Sequence, residues 1–230
     1  MSCGAVLAAG GQSARMGEID KTITMLAGRP VIDWVLDAFA RSRQVSELVV
    51  VTSERNAAAV QAALDRHVWA IPVRLTAGGA TRQDSVAAGV RQLSPDADLI
   101  LIHDVARPLV TPALIERAIA AGTELGAVVA AVPVADTIKR VAADGSVVET
   151  LDRSALRAVQ TPQVFRRDWL QLAYRVAMDV LVTDEAALLE RAGYTVHTIP
   201  GAPDNIKLTT PLDVRLAEAL IIDRRSVAKQ

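Results

Sequence analysis

Short, nearly continuous apolar runs alternate along this chain with amphipathic stretches of helical period. Residues 3 to 9, 47 to 53 (with LVVV inside), 98 to 103 and 126 to 133 read as strands apolar on both faces, as parallel strands covered on two sides must be. Between them, Val31, Trp34, Val35 and Ala38 after Pro30 predict a helix over 30–40, and Val60, Ala63 and Leu64 predict another over 56–66. Further helices are expected over 82–93, after Pro112, over 167–178, and from Thr183, Asp184 and Glu185 to Gly193. His67 to Leu75, interrupted by Pro72, and Tyr194 to Ile199 are predicted strands. Thr210, Pro211 and Asp213 form a helix start for a last helix reaching residue 224. The alternation predicts a doubly wound α/β domain spanning 1–230, with its ligand site at the carboxyl ends of the strands. From Ala135 to Pro162 the rhythm breaks, and the turn sequence VAADGS, Val141 to Ser146, predicts a hairpin. Residues 135–160 are therefore read as an arm outside the main sheet.

Composition narrows the function. Seven aromatic residues and a net charge of -1 leave no stacking platform or basic footprint for nucleic acid. No membrane span or signal-peptide pattern is present in the sequence, so a cytoplasmic protein is expected. Cys3 is the sole cysteine, which excludes an internal disulfide and a thiolate metal cluster. Of 25 basic residues only Lys21, Lys139, Lys207 and Lys229 are lysines, so a lysine beside glycines or aspartates stands out as a specific point charge.

The first candidate site is LAAGGQSARMG, Leu7 to Gly17, with Lys21 beyond it. Gly10 and Gly11 permit close backbone approach to a phosphate, and Arg15 and Lys21 supply cations for a triphosphate. The glycine spacing is neither that of a P-loop nor GxGxxG. An ordinary strand-to-helix turn, with Lys21 paired to Glu18 or Asp20, is the structural alternative. In HDVARP, Asp104 ends a strand, a position suited to a ribose hydroxyl or hydrated Mg²⁺, and Arg107 follows as an anion contact. A local Asp-to-Arg pair is its alternative. GGATRQDS, Gly78 to Ser85, offers backbone groups and a hydroxyl for reading a base edge. DTIK, Asp136 to Lys139, and LDR, Leu151 to Arg153, flank the hairpin, so antiparallel pairing brings Thr137 and Arg153 to one end of the arm. DNIK supplies Asp204, a possible second ligand with Asp104 for a shared Mg²⁺, and Lys207, a second phosphate contact. The scattered histidines form no metal triad, and no hydrolytic triad is evident.

In order along the chain, LAAGGQSARMG with Lys21, GGATRQDSV, HDVARP, PVADTIK, LDR, QTPQVF, TDEAALLE and DNIKLTTPLD resemble the 2-C-methyl-D-erythritol 4-phosphate cytidylyltransferase family of non-mevalonate isoprenoid synthesis, from about Ala5 to Leu220. The resemblance implies a Rossmann-like three-layer sandwich with a mostly parallel twisted sheet and a protruding β-arm that hooks around a second subunit of a homodimer. It implies that Arg15 and Lys21 stabilise the α-phosphate of CTP as the sugar-alcohol phosphate attacks, with Mg²⁺ on the triphosphate. Ala8, Ala9, Gly79 and Ser85 would surround the cytosine, and Asp104 the ribose or metal. Thr137, Arg153, Thr161, Thr183 and Lys207 would position the acceptor, with Arg107 nearby and Arg153 acting across the dimer. Around Lys21 this chain reads Asp20, Lys21, Thr22 where the family usually has proline before the lysine and glutamine or alanine after it, a version similar to molybdopterin guanylyltransferases. Another polyol phosphate such as ribitol 5-phosphate, a molybdenum-cofactor acceptor, and a non-catalytic nucleotide-binding role are the alternative readings.

Overall fold

The computed structural model describes residues 1–10, 20–176 and 182–227. Its elements are β1 (Cys3–Ala8), β2 (Met25–Leu26), β3 (Arg29–Pro30), α1 (Val31–Ala40), β4 (Val45–Thr52), α2 (Ala57–Asp65), β5 (Val73–Ala77), α3 (Arg82–Gln92), β6 (Leu99–Asp104), α4 (Pro112–Leu125) and β7 (Ala127–Pro133). There follow β8 (Lys139–Val141), β9 (Val147–Thr150), β10 (Arg157–Arg166), α5 (Arg167–Val176), α6 (Glu185–Arg191), β11 (His197–Pro200) and α7 (Pro211–Val227).

Seven strands form the central sheet in the order β11-β7-β10-β6-β1-β4-β5. All neighbouring pairs are parallel except those of β10, which runs against both β6 and β7. The chain winds outward from β1 through β4 to β5, then crosses back to place β6 on the other side of β1. The carboxyl ends of β1 and β6 therefore border the point where the winding reverses, which is where an open α/β sheet leaves a crevice.

Side-chain alternation explains why these strands are apolar throughout. Ala5 and Leu7 of β1, Leu48 and Val50 of β4, and Leu99 and Leu101 of β6 pack on one face with α1, α2, α4 and α7. Val6, Val49, Val51, Ile100 and Ile102 pack on the other with α3, α5 and α6. Each fully buried aliphatic side chain contributes about 1.5–3 kcal/mol relative to exposure. Helix α3 lies close enough that a Cβ built on Gly89 comes within 2.6 Å of both Val6 and Val51, so glycine sets that spacing. Thr210 and Asp213 bond each other's main chain at the start of α7, as the sequence predicts, and the structure adds a reciprocal box of Thr81 and Asp84 on α3 and a Thr111 cap on α4 ahead of Pro112. At α6 the capping side chain is Asp184, which accepts from Ala187 N–H.

The sequence reading departs from the structure in several places, among them the unpredicted pair β2 and β3. Strand β5 begins at Val73, whereas residues 67–72 fold back through His67 to Asp37 and Trp69 to the Leu64 carbonyl. Strand β11 begins at His197; Tyr194 instead stacks on Trp169 at 4.5 Å between ring centroids. The largest departure is β10. Residues 157–160 belong to the central sheet, not to the arm, and the arm's own ribbon is confined to β8 and β9. Gln160, Thr161 and Gln163 hide this strand from an apolar pattern, yet all three are buried with partners on other segments. The predicted continuation of α5 to residue 178 lies outside the described residues. Among the described residues no helix is long and apolar enough to cross a membrane.

Candidate active site

The end of β1 is pinned from three directions. Ala9 N–H donates to the Val51 carbonyl at 2.7 Å, and the Ala9 carbonyl accepts from Thr22 Oγ1 at 2.8 Å and from Asn56 Nδ2 at 2.9 Å. The Ala8 carbonyl accepts from Val105 N–H, joining this end to the loop after β6. Thr22 N–H in turn donates to Asp20 Oδ1 at 2.9 Å, so Lys21 sits in a turn whose neighbours on both sides are tied down. The departure at Asp20 and Thr22 thus has a local function: the two residues close the turn and fasten it to β1. A Cβ on Gly10 would stand 3.3 Å from the Thr52 main chain, a close approach that favours glycine. Gly11 and Arg15 lie outside the described residues.

At the end of β6, Asp104 is buried between two cations. Arg82 Nε and Nη2 donate to its Oδ1 at 3.2 and 3.1 Å, and Lys207 Nζ donates to Oδ2 at 2.6 Å. Burial opposes ionisation, but Arg82 and Lys207 outweigh it and hold the carboxyl far below the usual carboxylate range. Arg82 Nη1 also reaches both oxygens of Glu185, at 3.2 and 2.9 Å. Burial pushes the Glu185 carboxyl above its ordinary value, with the two-oxygen contact to the Arg82 guanidinium pulling against it.

Thr161 and His103 support Asp104 from beneath. Thr161 Oγ1 accepts from Asp104 N–H at 3.1 Å and meets His103 Nδ1 at 2.9 Å, while His103 Nε2 meets the Arg107 carbonyl at 3.2 Å. The consistent assignment protonates Nε2 and leaves Nδ1 to accept the threonine hydrogen. Burial lowers the imidazole to about 4 against the pull of Asp104, so it is neutral near pH 7. Thr161, expected to bind the acceptor, is only 4 % exposed and has its hydroxyl occupied on both sides; it positions the Asp104 backbone.

Other expected contacts also turn inward. Ser85 Oγ accepts from Gly79 N–H at 3.1 Å and donates to the Thr81 carbonyl at 2.9 Å, shaping the glycine turn. A Cβ on Gly79 would fall 2.4 Å from that of Asp84. Arg107 donates from Nη1 to the Asn205 carbonyl and from Nη2 to the Val159 carbonyl, clamping the 201–210 segment to β10. Asp204 does not join Asp104: it pairs with Arg224 of α7, whose Nε lies 3.1 Å away. With Asp104 held by two cations and Asp204 by a third, this pair does not fit a shared Mg²⁺ site, and among the described residues no group of three His, Cys, Asp or Glu side chains can hold a metal.

The arm follows its predicted pairing. Lys139 faces Thr150, and Leu151 N–H donates to the Ile138 carbonyl, which sets Thr137 and Arg153 at the same end. Arg153 Nη1 donates to the Ala135 carbonyl beside an open recess of about 610 Å³ lined by Pro133, Val134, Asp152 and Arg157. Thr137 is exposed there, and Thr183 is exposed next to the cap of α6. Among the described residues no hydrogen bond or ion pair joins residues 139–153 to the Asp104 cluster.

Arg82, Glu185 and Thr22 were not singled out by sequence as site residues. Arg82 and Glu185 stand at helix starts within GGATRQDS and TDEAALLE, where charge reads equally well as surface or helix-dipole charge; only the shared sheet edge brings them together.

Fold and site define an α/β protein with a cluster of charged side chains at the reversal of a doubly wound sheet. The family model described as 2-C-methyl-D-erythritol 4-phosphate cytidylyltransferase matches residues 3–223. Proteins of that name from Dehalococcoides mccartyi and Nocardia farcinica are 41% and 45% identical, over 95% and 96% of this chain and 95% and 94% of theirs. The crystal structure of 4-diphosphocytidyl-2C-methyl-D-erythritol synthase from Anaerococcus prevotii superposes with a TM-score of 0.85 at 27% identity, covering 96% of this chain and 98% of that one. The cytidylyltransferase of Thermus thermophilus gives 0.77 at 32% identity, with coverage of 96% and 98%. The chain belongs to the 2-C-methyl-D-erythritol 4-phosphate cytidylyltransferase family and is a nucleotidyltransferase, as its motifs imply.

Proposed function

We propose that this chain transfers the cytidylyl group of CTP to 2-C-methyl-D-erythritol 4-phosphate in isoprenoid precursor synthesis. An oxygen of the acceptor phosphate attacks the α-phosphorus of CTP, the bond to the β-phosphate oxygen breaks, and pyrophosphate leaves as 4-diphosphocytidyl-2-C-methyl-D-erythritol forms. The observation that carries this reading is Asp104 fixed at the sheet's reversal point with Lys207 on its outer oxygen, in a chain of this family.

The acceptor phosphate is already ionised, so no strong general base is needed, and His103 is buried and hydrogen-bonded away from that role. What the reaction requires is alignment of two anions and neutralisation of charge on the transferring phosphorus. Lys21 and Lys207, with Arg15, supply that charge. The backbone around Ala8, Ala9 and Gly79 receives the nucleoside, while Asp104 takes a ribose hydroxyl. Thr137, Arg153 and Thr183 hold the acceptor, with Arg153 contributed across a homodimer built on the arm. A divalent cation, Mg²⁺ by preference, enters as part of the CTP substrate. The cytoplasm is the compartment proposed for this chemistry.

A pyrophosphate-release assay crossing CTP, GTP, ATP and UTP with methylerythritol phosphate, ribitol 5-phosphate and molybdopterin tests the assignment. Release confined to CTP with methylerythritol phosphate is expected. Release only with ribitol phosphate, or only with GTP and molybdopterin, would replace it with another transferase reading.

A further inference from the structure

Arg82 is a cation at the proposed phosphate-binding edge whose donors face protein. Nη1 lies on both oxygens of Glu185, and Nε and Nη2 lie together on Asp104 Oδ1, so all three guanidinium nitrogens are engaged with carboxylates. Glu185 is completely buried. Its place at the start of α6 is set by Asp184, which caps the helix through one oxygen and accepts from Gln163 of β10 through the other. The fork thus starts on α3, is braced against α6, and grips the end of β6.

We propose that Arg82 and Glu185 are positioning residues that fix the Asp104 carboxylate and, through its second oxygen, set Lys207 for the phosphate. This rests on the role given to Lys207 above. With Oδ1 held by two guanidinium nitrogens, the carboxylate resists rotation, which fixes the direction in which Oδ2 meets Lys207 and leaves its second lone pair for another donor. Lys207 Nζ occupies that direction at 2.6 Å, although its side chain remains 40% exposed and hangs on a flexible four-carbon stem. Asp104 therefore confines a mobile cation at the edge of the crevice. Glu185 supplies the second half of the balance. By drawing Nη1 away, it leaves Asp104 only part of the Arg82 charge, so the carboxylate retains its attraction for Lys207. Neutralising Glu185 releases the whole guanidinium toward Asp104 and weakens that attraction. A lysine at position 82 keeps a positive charge but has no fork with which to grip two carboxylates.

The test is a double-mutant cycle on the full-length enzyme, with CTP and methylerythritol phosphate as substrates and thermal midpoints as a check on folding. Glu185→Gln and Arg82→Lys are each expected to lower kcat about tenfold while KM for CTP stays within about twofold, the pattern of a contact expressed in the transition state. In a Lys207→Ala background the same substitutions are expected to cost less than about twofold, because the group they act through is gone. Arg82→Lys alone carries the cycle where Glu185→Gln does not fold. Equal losses in both backgrounds would overturn the proposal, as would wild-type kcat in both single variants or in Lys207→Ala. A wild-type enzyme inactive with this substrate pair would instead overturn the reaction assignment.

Discussion

Around Asp104, charged side chains from α3, α6 and the 201–210 segment are wholly or partly buried and hold one another in place; between Lys139 and Thr150 of the arm, every residue is exposed. The first region is fixed by contacts between segments distant in sequence, Arg82 to Glu185 and Asp104 to Lys207. The second is fixed by neighbours: Ala142 N–H donates to the Ser146 carbonyl, Asp144 accepts from Ser146 N–H, and Gly145 takes the positive φ of +84° that the turn needs. Val141, Val147 and Val148 remain 56%, 59% and 62% exposed, so the ribbon draws little stability from its own chain. Charge at the sheet edge is held in place by ion pairs within the chain. The acceptor contacts of the arm, by contrast, are proposed to be completed by a second subunit.

Substitutions at the two regions should therefore fail differently. Lys21→Ala is the most severe test of the edge: turnover is expected to fall about 10²–10⁴-fold, as on loss of a transition-state charge contact, with little change in thermal midpoint. Near-normal turnover in a pyrophosphate assay would remove Lys21 from the chemistry. Asp104→Ala should lose stability as well as activity, by about 3 kcal/mol in denaturant melts, because Arg82 Nε and Nη2 and Lys207 Nζ all lose the carboxylate they share.

His103 tests the edge by pH. Its folded pKa of about 4 lies below the ordinary histidine value, so between those limits the unfolded chain binds more protons and stability rises with pH. Wild type should lose up to about 3 kcal/mol as pH falls from about 6.5 to 4, and His103→Asn should flatten that limb. A limb identical in the variant would show that His103 titrates normally.

On the arm, Arg153→Ala is expected to raise KM for methylerythritol phosphate about 10- to 100-fold without lowering the midpoint of unfolding, the reverse of the Asp104 pattern. A loss of stability there would erase the contrast. The smallest effect is expected for Val147→Thr, within about 0.5 kcal/mol for the isolated subunit. Sedimentation of this variant then measures what the exposed valines contribute to association, and an unchanged dimer fraction would remove them from the proposed interface.

Much of this molecule could be read from the chain. The α/β alternation, the helix start at Thr210, Pro211 and Asp213, the hairpin turn at 141–146 and the pairing that brings Thr137 and Arg153 to one end of the arm all follow from local rules, and the structure agrees. Strand β10 escaped because Gln160, Thr161 and Gln163 break an apolar pattern; their burial depends on partners at Ala202, His103 and Asp184 that no window along the sequence contains. Thr161 and Ser85 carry the right chemistry in recognisable motifs, yet the fold directs both hydroxyls inward.

The sequence by itself determined the layer architecture, the arm and the family, since periodicity, caps and ordered motifs are properties of adjacent residues. Only the tertiary structure decided that Asp204 belongs to Arg224 while Asp104 stands between Arg82 and Lys207. The reason is physical: an isolated charge fits a surface, a helix end or a site equally well, and its partner is selected when the sheet brings distant segments within a few ångströms and removes the water that would otherwise screen them.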